Sequence, residues 1–360
     1  MVILILLIDR WGETMKIGMA SMRFEKPPCI IGAASVVGKK EGEGPLGFCF
    51  DQVEENDLFG MENWELAESE CQKRTFLAAL QDAQLKDGKK PDYLFAGDLL
   101  NQLTASSFGL LDFQIPLLGL FGACSTMGEA MCLASMTVAG GMAETAAAIA
   151  SSHYASAQKQ FRFPLEYGNQ RPYSATWTVT GAGSVVVAQN PSLGQQSEKI
   201  RPYAYITGAT VGKIVDYGVT DSMNMGAVMA PAAADTILQH LQDNQYSVER
   251  YDKVITGDLG TVGKQILLEL LQKNGVDISD RHMDCGIEIY DDETQDTHAG
   301  GSGCGCAATV FCGFILKKLL TGEWKRILFV PTGALFSPVS FNEGQNIPGI
   351  AHAVELEAAE

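Results

Sequence analysis

Cys124 is the residue of this 360-residue chain whose setting most clearly invites chemistry. It follows the apolar run 116–121 in the order Gly122, Ala123, Cys124, Ser125, and a stretch of small residues and methionines at 127–139 comes after it. That order reads as a strand, a tight turn and a buried helix. A thiol on such a turn sits at the positive end of the helix dipole beside unpaired backbone N–H groups, which favour its thiolate or a bound anion. Two uses follow: a covalent nucleophile, or the floor of an anion pocket. A nucleophile needs a partner, and His153 and His298 are the candidates. For His153, at the end of the apolar run 146–150, the plainer reading is a hydrogen-bonded structural histidine.

Other chemistry-bearing groups give weaker signals. His282, Cys285, His298, Cys304 and Cys306 are metal-capable, but their spacings match no finger or ribbon, and no metal site is expected. The glycine-rich loop 300–305, with Gly303 and Cys304, has neither the Lys-Ser or Lys-Thr of a phosphate loop nor the spacing of a dinucleotide turn. Its glycines fit a backbone that comes close to Cys124. The acidic run 291–293 with Asp296 reads as a solvated loop.

The elements that must position these groups alternate short β-like runs with Ala-rich helical stretches, the pattern of parallel βαβ units. Strands are expected at 92–96, 116–121 and 146–153, and Gly140-Gly141 ends the helix after Cys124. The chain also repeats itself. Residues 91–99, ending in Gly97-Asp98-Leu99, match 251–259, ending in Gly257-Asp258-Leu259. The turn 122–125 and its helix match 301–306, a helix through Leu320 and a strand at 326–330. Residues 181–189 match 349–357. A duplicated α/β unit with halves at 15–195 and 196–360, joined by a linker near 191–201, accounts for this order.

Composition narrows the partners. A net charge of −17 without a local Lys/Arg cluster argues against nucleic acid and against direct adhesion to an anionic bilayer. A protein partner would have to hold the chain at a membrane. Nine cysteines, mostly inside apolar runs, read as reduced buried thiols of a cytosol-like compartment. The apolar run 2–8 is too short to span a bilayer and lacks the flanks of a signal peptide, so Met15 reads as the start and 1–14 as an upstream extension.

A strand ending in Gly-Ala-Cys-Ser and entering a buried helix, within a duplicated α/β chain, resembles the thiolase and ketoacyl-synthase superfamily. The strings at 96–102, 121–126, 151–153 with 160–162, 230–236 and 299–304 narrow the resemblance to a sporulation branch of it. The resemblance implies a layered α-β-α-β-α fold of two pseudo-repeated halves. It further implies binding of dipicolinic acid (pyridine-2,6-dicarboxylate), alone or as its calcium chelate, and a role in its uptake into the developing spore with membrane proteins encoded alongside. A homodimer at the periphery of the forespore inner membrane is the matching expectation. Ketoacyl synthases of the resembling type carry a histidine where Asp258 stands, and an aspartate negative at pH 7 donates nothing to an oxyanion. The loop 300–305 likewise lacks their asparagine or histidine.

The chain is therefore expected to be a non-catalytic binding protein without a cofactor, its pocket built from Cys124, Ser125, His153, Arg162, Asp98, Asp258, Gly303 and Cys304. Arg162 and Arg171, interleaved with Phe161, Phe163, Tyr167 and Tyr173, have the means to hold an aromatic dianion by forked carboxylate contacts and stacking. The plainer reading of that segment is a charged loop with aromatic anchors. The alternative function is an acyltransferase with Cys124 as nucleophile. A purely structural subunit of a membrane complex is a third.

Overall fold

The computed structural model describes residues 15–85, 88–162, 168, 170–190 and 201–359. The proposed extension 1–14, most of the linker, and Phe163 and Tyr167 lie outside the described residues.

Ten strands form the frame. Five come from the first half: β1 (Cys29–Gly38), β2 (Tyr93–Gly97), β3 (Leu117–Gly119), β4 (Thr145–Ser152) and β5 (Gly181–Ala188). Five come from the second: β6 (Ala204–Thr210), β7 (Lys253–Thr256), β8 (His282–Asp284), β9 (Arg326–Val330) and β10 (Ala353–Ala358). Their spatial order is β3-β2-β4-β5-β1 and β8-β7-β9-β10-β6. Numbered within its own half, each path reads 3-2-4-5-1. The directions repeat too. β2 is parallel to β3 and β4, as β7 is to β8 and β9, while the last two pairings of each half are antiparallel. The two paths meet where Ala204 and Tyr205 of β6 pair with Ile30 and Cys29 of β1.

The strand sequences explain the layering. Successive side chains point to opposite faces, so Ala146, Ala148 and Ala150 of β4 enter the central core while Ala147 and Ile149 pack outward with Phe76. On β9, Ile327 and Phe329 face the centre, and Leu328 and Val330 face out. Apolar residues on both faces require cover on both sides. Helix α1 (Trp64–Ala83) covers the outer face of the first sheet, with Ala79 and Ala83 on Ile31 and Val186. Helices α4 (Met225–Asn244) and α5 (Gly260–Lys273) cover the second. Between the sheets lie α2 (Thr126–Ala139) and α6 (Cys304–Val310), whose Met127, Met131, Cys306 and Ala307 share one core with strands of both halves. A short helix, α3 (Tyr154–Phe161), follows β4. Five layers result, as the resemblance implies, and α2 is buried on nearly every side because its residues are small or flexible. The run 116–121 is a departure from expectation: β3 is only three residues long and lies exposed at the sheet edge. No helix among the described residues is long and apolar enough to cross a membrane.

Candidate ligand-binding site

The turn that presents Cys124 is short and strained. After β3 the chain makes a 3-10 turn over Ala123–Ser125 and enters α2 directly. The Ser125 hydroxyl donates to Gly122 O at 2.7 Å, and the Thr126 hydroxyl donates to Ala123 O at 2.6 Å. Ala123 adopts φ 49°, a left-handed conformation that costs a residue with a Cβ about 1–2 kcal/mol. The second half closes on this turn: a Cβ added to Gly333 would stand 2.2 Å from Gly122 O. Only glycine permits that approach.

Asp258 arrives from the second half, two residues beyond β7. It is fully buried, and its carboxylate accepts the Gly303 N–H at 3.0 Å and the Thr332 hydroxyl at 3.0 Å and lies beside the Cys124 thiol. Gly303 holds φ 99°, which aims its N–H at that carboxylate. Burial pushes the Asp258 carboxyl up to about 7, with repulsion from Asp284 adding to it and these three groups opposing it. The Cys124 thiol is raised well above its ordinary value, first by burial and then by Asp258. These shifts correct two expectations. The helix dipole does not prevail in favour of a Cys124 thiolate, because desolvation and an adjacent carboxylate oppose it. Asp258, for its part, is not simply ionised at neutral pH.

Cys124 and Asp258 stand at the wall of a cavity of about 490 Å³, within the range of sites for small organic ligands. Leu99, Phe121, Phe161, Met223, Met225, Phe336 and Phe341 supply its apolar lining. Phe336 packs on Phe161 and on Phe341 with ring centroids 5.9 and 5.5 Å away. Arg162, at the end of α3, brings the charge. Its guanidinium donates to Met223 Sδ at 2.9 Å and, among the described residues, has no carboxylate partner.

The eight residues expected to form one pocket therefore divide. Cys124, Arg162 and Asp258 line the cavity, and Gly303 stands behind Asp258. Ser125 fastens the turn. The buried Cys304 thiol donates to Ala123 O at 2.9 Å and braces the same turn. His153 caps α3: its Nδ1 accepts from Ala155 N at 3.1 Å, and its Nε2 donates to Asp57 O at 2.7 Å. Asp98 accepts from Leu100 N and from the Ser106 N–H and hydroxyl, so it braces its own loop. His298 is spent on Pro172 O and Asp296, and neither histidine lines the cavity. Arg171 also points elsewhere, pairing with Asp296 at 2.7 Å and lying over Trp177. Among the described residues no three metal-capable side chains converge.

Sequence reasoning missed Thr332, Met223, Phe336 and Phe341. Thr332 could have been suspected, since it follows the repeated strand 326–330. The three apolar residues carry no motif and become neighbours only through the fold.

A cysteine at a strand-to-helix turn, between two copies of one five-strand unit, defines a thiolase-like protein. Solved structures agree at the level of fold. The 3-oxoacyl-(acyl carrier protein) synthase III of Xanthomonas oryzae superposes with TM-score 0.56 at 14% identity, over 93% of this chain and all of that one. That of Aquifex aeolicus gives 0.54 at 14%, over 92% and 99%, and a variant of OleA from Xanthomonas campestris gives 0.56 at 15%, over 93% and 99%. The family model of stage V sporulation protein AD matches residues 18–357, and the chain belongs to that family. It is 43% identical over 343 residues to the stage V sporulation protein AD of Bacillus subtilis (strain 168), covering 95% of this chain and 98% of that protein. The protein is thus a sporulation protein on a thiolase-like scaffold.

Proposed function

We propose that the protein is a non-catalytic receptor for dipicolinic acid, alone or as its calcium chelate, and aids its uptake into the developing spore. The carrying observation is that a carboxylate, Asp258, stands against Cys124. Acyl transfer through a cysteine needs a group that draws the thiol proton away and donors for a developing oxyanion. Asp258 instead stabilises the neutral thiol. The rest of the cavity suits an aromatic dianion: phenylalanine and methionine side chains for the ring, and the guanidinium of Arg162, which meets no carboxylate among the described residues, for a carboxylate.

The same reading places the protein at the cytoplasmic face or periphery of the spore inner membrane, held by membrane proteins of the same sporulation complex, since its charge of −17 opposes direct adhesion. The exposed edge strand β3, with Leu117, Leu118 and Phe121 each more than 40% exposed, supports an isologous homodimer.

Calorimetric titration of the purified protein with dipicolinic acid tests the proposal. Saturable binding that weakens in Cys124→Ala and Arg162→Ala is expected. Failure to bind with or without calcium would sink it. Incubation with acyl-coenzyme A should leave Cys124 unmodified; a stable thioester there would favour the acyltransferase.

A further inference from the structure

We infer that Asp258 is the specificity-determining residue at the cavity floor, binding the second acidic group of the ligand through a shared proton, so that capture of the dianion draws one proton into the cavity. The inference rests on the receptor reading and adds to it the means by which an acidic floor accepts an anion.

The geometry carries it. Asp258 lines the cavity, its two described hydrogen-bond donors belong to the protein, the Gly303 N–H and the Thr332 hydroxyl, and the Cys124 thiol lies beside it. Among the described residues the groups that face it bring no positive charge. From the end of β8 comes Asp284, a second carboxylate. From the α2 turn comes Cys124, from α6 come Cys304 and Cys306, and from the segment after β8 comes Cys285; each is a thiol that burial keeps neutral. Among the described lining residues the cation is Arg162, and one carboxylate of the ligand uses it. The other then meets Asp258 across a desolvated space, where two carboxylates in contact do not both stay ionised. Either a proton or a second cation must come between them. A proton needs only a carboxyl already poised to hold one, and burial has raised Asp258 to about 7. The step is a simple protonation: one proton leaves water or buffer, an Asp258 O–H forms and donates to the ligand carboxylate, and no bond of the ligand breaks.

The sign follows from linkage. Bound ligand favours protonated Asp258, so affinity is level below about pH 7, where the free protein already holds that proton. Above it, affinity falls up to about tenfold per pH unit. The experiment is titration of the full chain with dipicolinic acid, chelator present, from pH 6 to 9, in buffers of different ionisation enthalpy that report protons taken up. Uptake approaching one proton per site near pH 8, and a pH slope lost in Asp258→Asn, are the expected results. Binding without proton uptake in the wild type overturns the inference and leaves the receptor reading standing. So does binding that appears only when calcium replaces the chelator. Absence of binding at every pH, with calcium and without, overturns both.

Discussion

Replacing Arg162 separates binding from stability in one residue. Its guanidinium is mostly buried, touches Met223 Sδ and, among the described residues, meets no carboxylate. Among the described residues no carboxylate compensates its charge, and burial with the nearby Arg171 lowers its pKa, although guanidinium stays protonated at any working pH. A hydrogen bond to a charged group contributes about 1.5–3 kcal/mol. Arg162→Ala should therefore weaken dipicolinic acid binding roughly 10- to 150-fold. Arg162→Lys keeps the charge but loses the fork, and its affinity should fall between. Arg162→Met should leave the unliganded protein as stable as wild type or more so, because an apolar side chain replaces a partly desolvated cation. Wild type at a ligand concentration of 100 Kd gains about 2.7 kcal/mol from binding, and Arg162→Met, weakened as far as Arg162→Ala, should lose about half or more of that gain. Calorimetry and thermal melts with and without ligand check both halves. An Arg162→Ala variant binding within about threefold of wild type refutes the assignment.

Further outcomes follow from other positions. Burial, with Asp98 nearby, raises Glu68 to about 8, far above its unfolded value near 4.3. The folded state thus loses stability as pH rises from about 4.5 to about 8, and Glu68→Gln should be nearly neutral at pH 5 and more stable than wild type at pH 8, on the order of a few kcal/mol, by urea unfolding. His153→Ala should cost about 1–2 kcal/mol through the lost cap of α3 and leave ligand affinity unchanged; a large loss of affinity would return His153 to the site. Gly333→Ala forces a methyl against Gly122 O and should cost about 1–3 kcal/mol while weakening ligand binding, since the Cys124 turn must shift. Leu118→Lys on β3 should yield a monomer in sedimentation, whereas a persisting dimer would place the interface elsewhere.

The features legible in the sequence are those with local signatures. The apolar runs of β4 and β9, the turn before α2 and the three repeat anchors state the fold in residue types, and the matched paths 3-2-4-5-1 are their spatial counterpart. The ionisation of the site was not legible. Nothing in the string Gly257-Asp258-Leu259 says that the carboxylate is wholly buried beside a thiol, and burial decides both protonation states. Nor do Met223, Phe336 and Phe341 announce themselves, because their meeting with Arg162 depends on loops from three separate parts of the chain. His153 shows the reverse: a chemically suggestive residue at a strand end, absorbed by Asp57 and Ala155.

The repeated halves give the two aspartates Asp98 and Asp258 the same address, just beyond a matched strand. One is tied to Ser106 and Leu100, and the other, just as buried, stands at the cavity wall beside a thiol. Duplication has in effect divided labour between twins, and the chain carries its own control experiment. Neutralising Asp98 tests what the position contributes to architecture, and neutralising Asp258 tests what it contributes to recognition. The difference between the two isolates what an adjoining cavity adds to a strand end that both halves share.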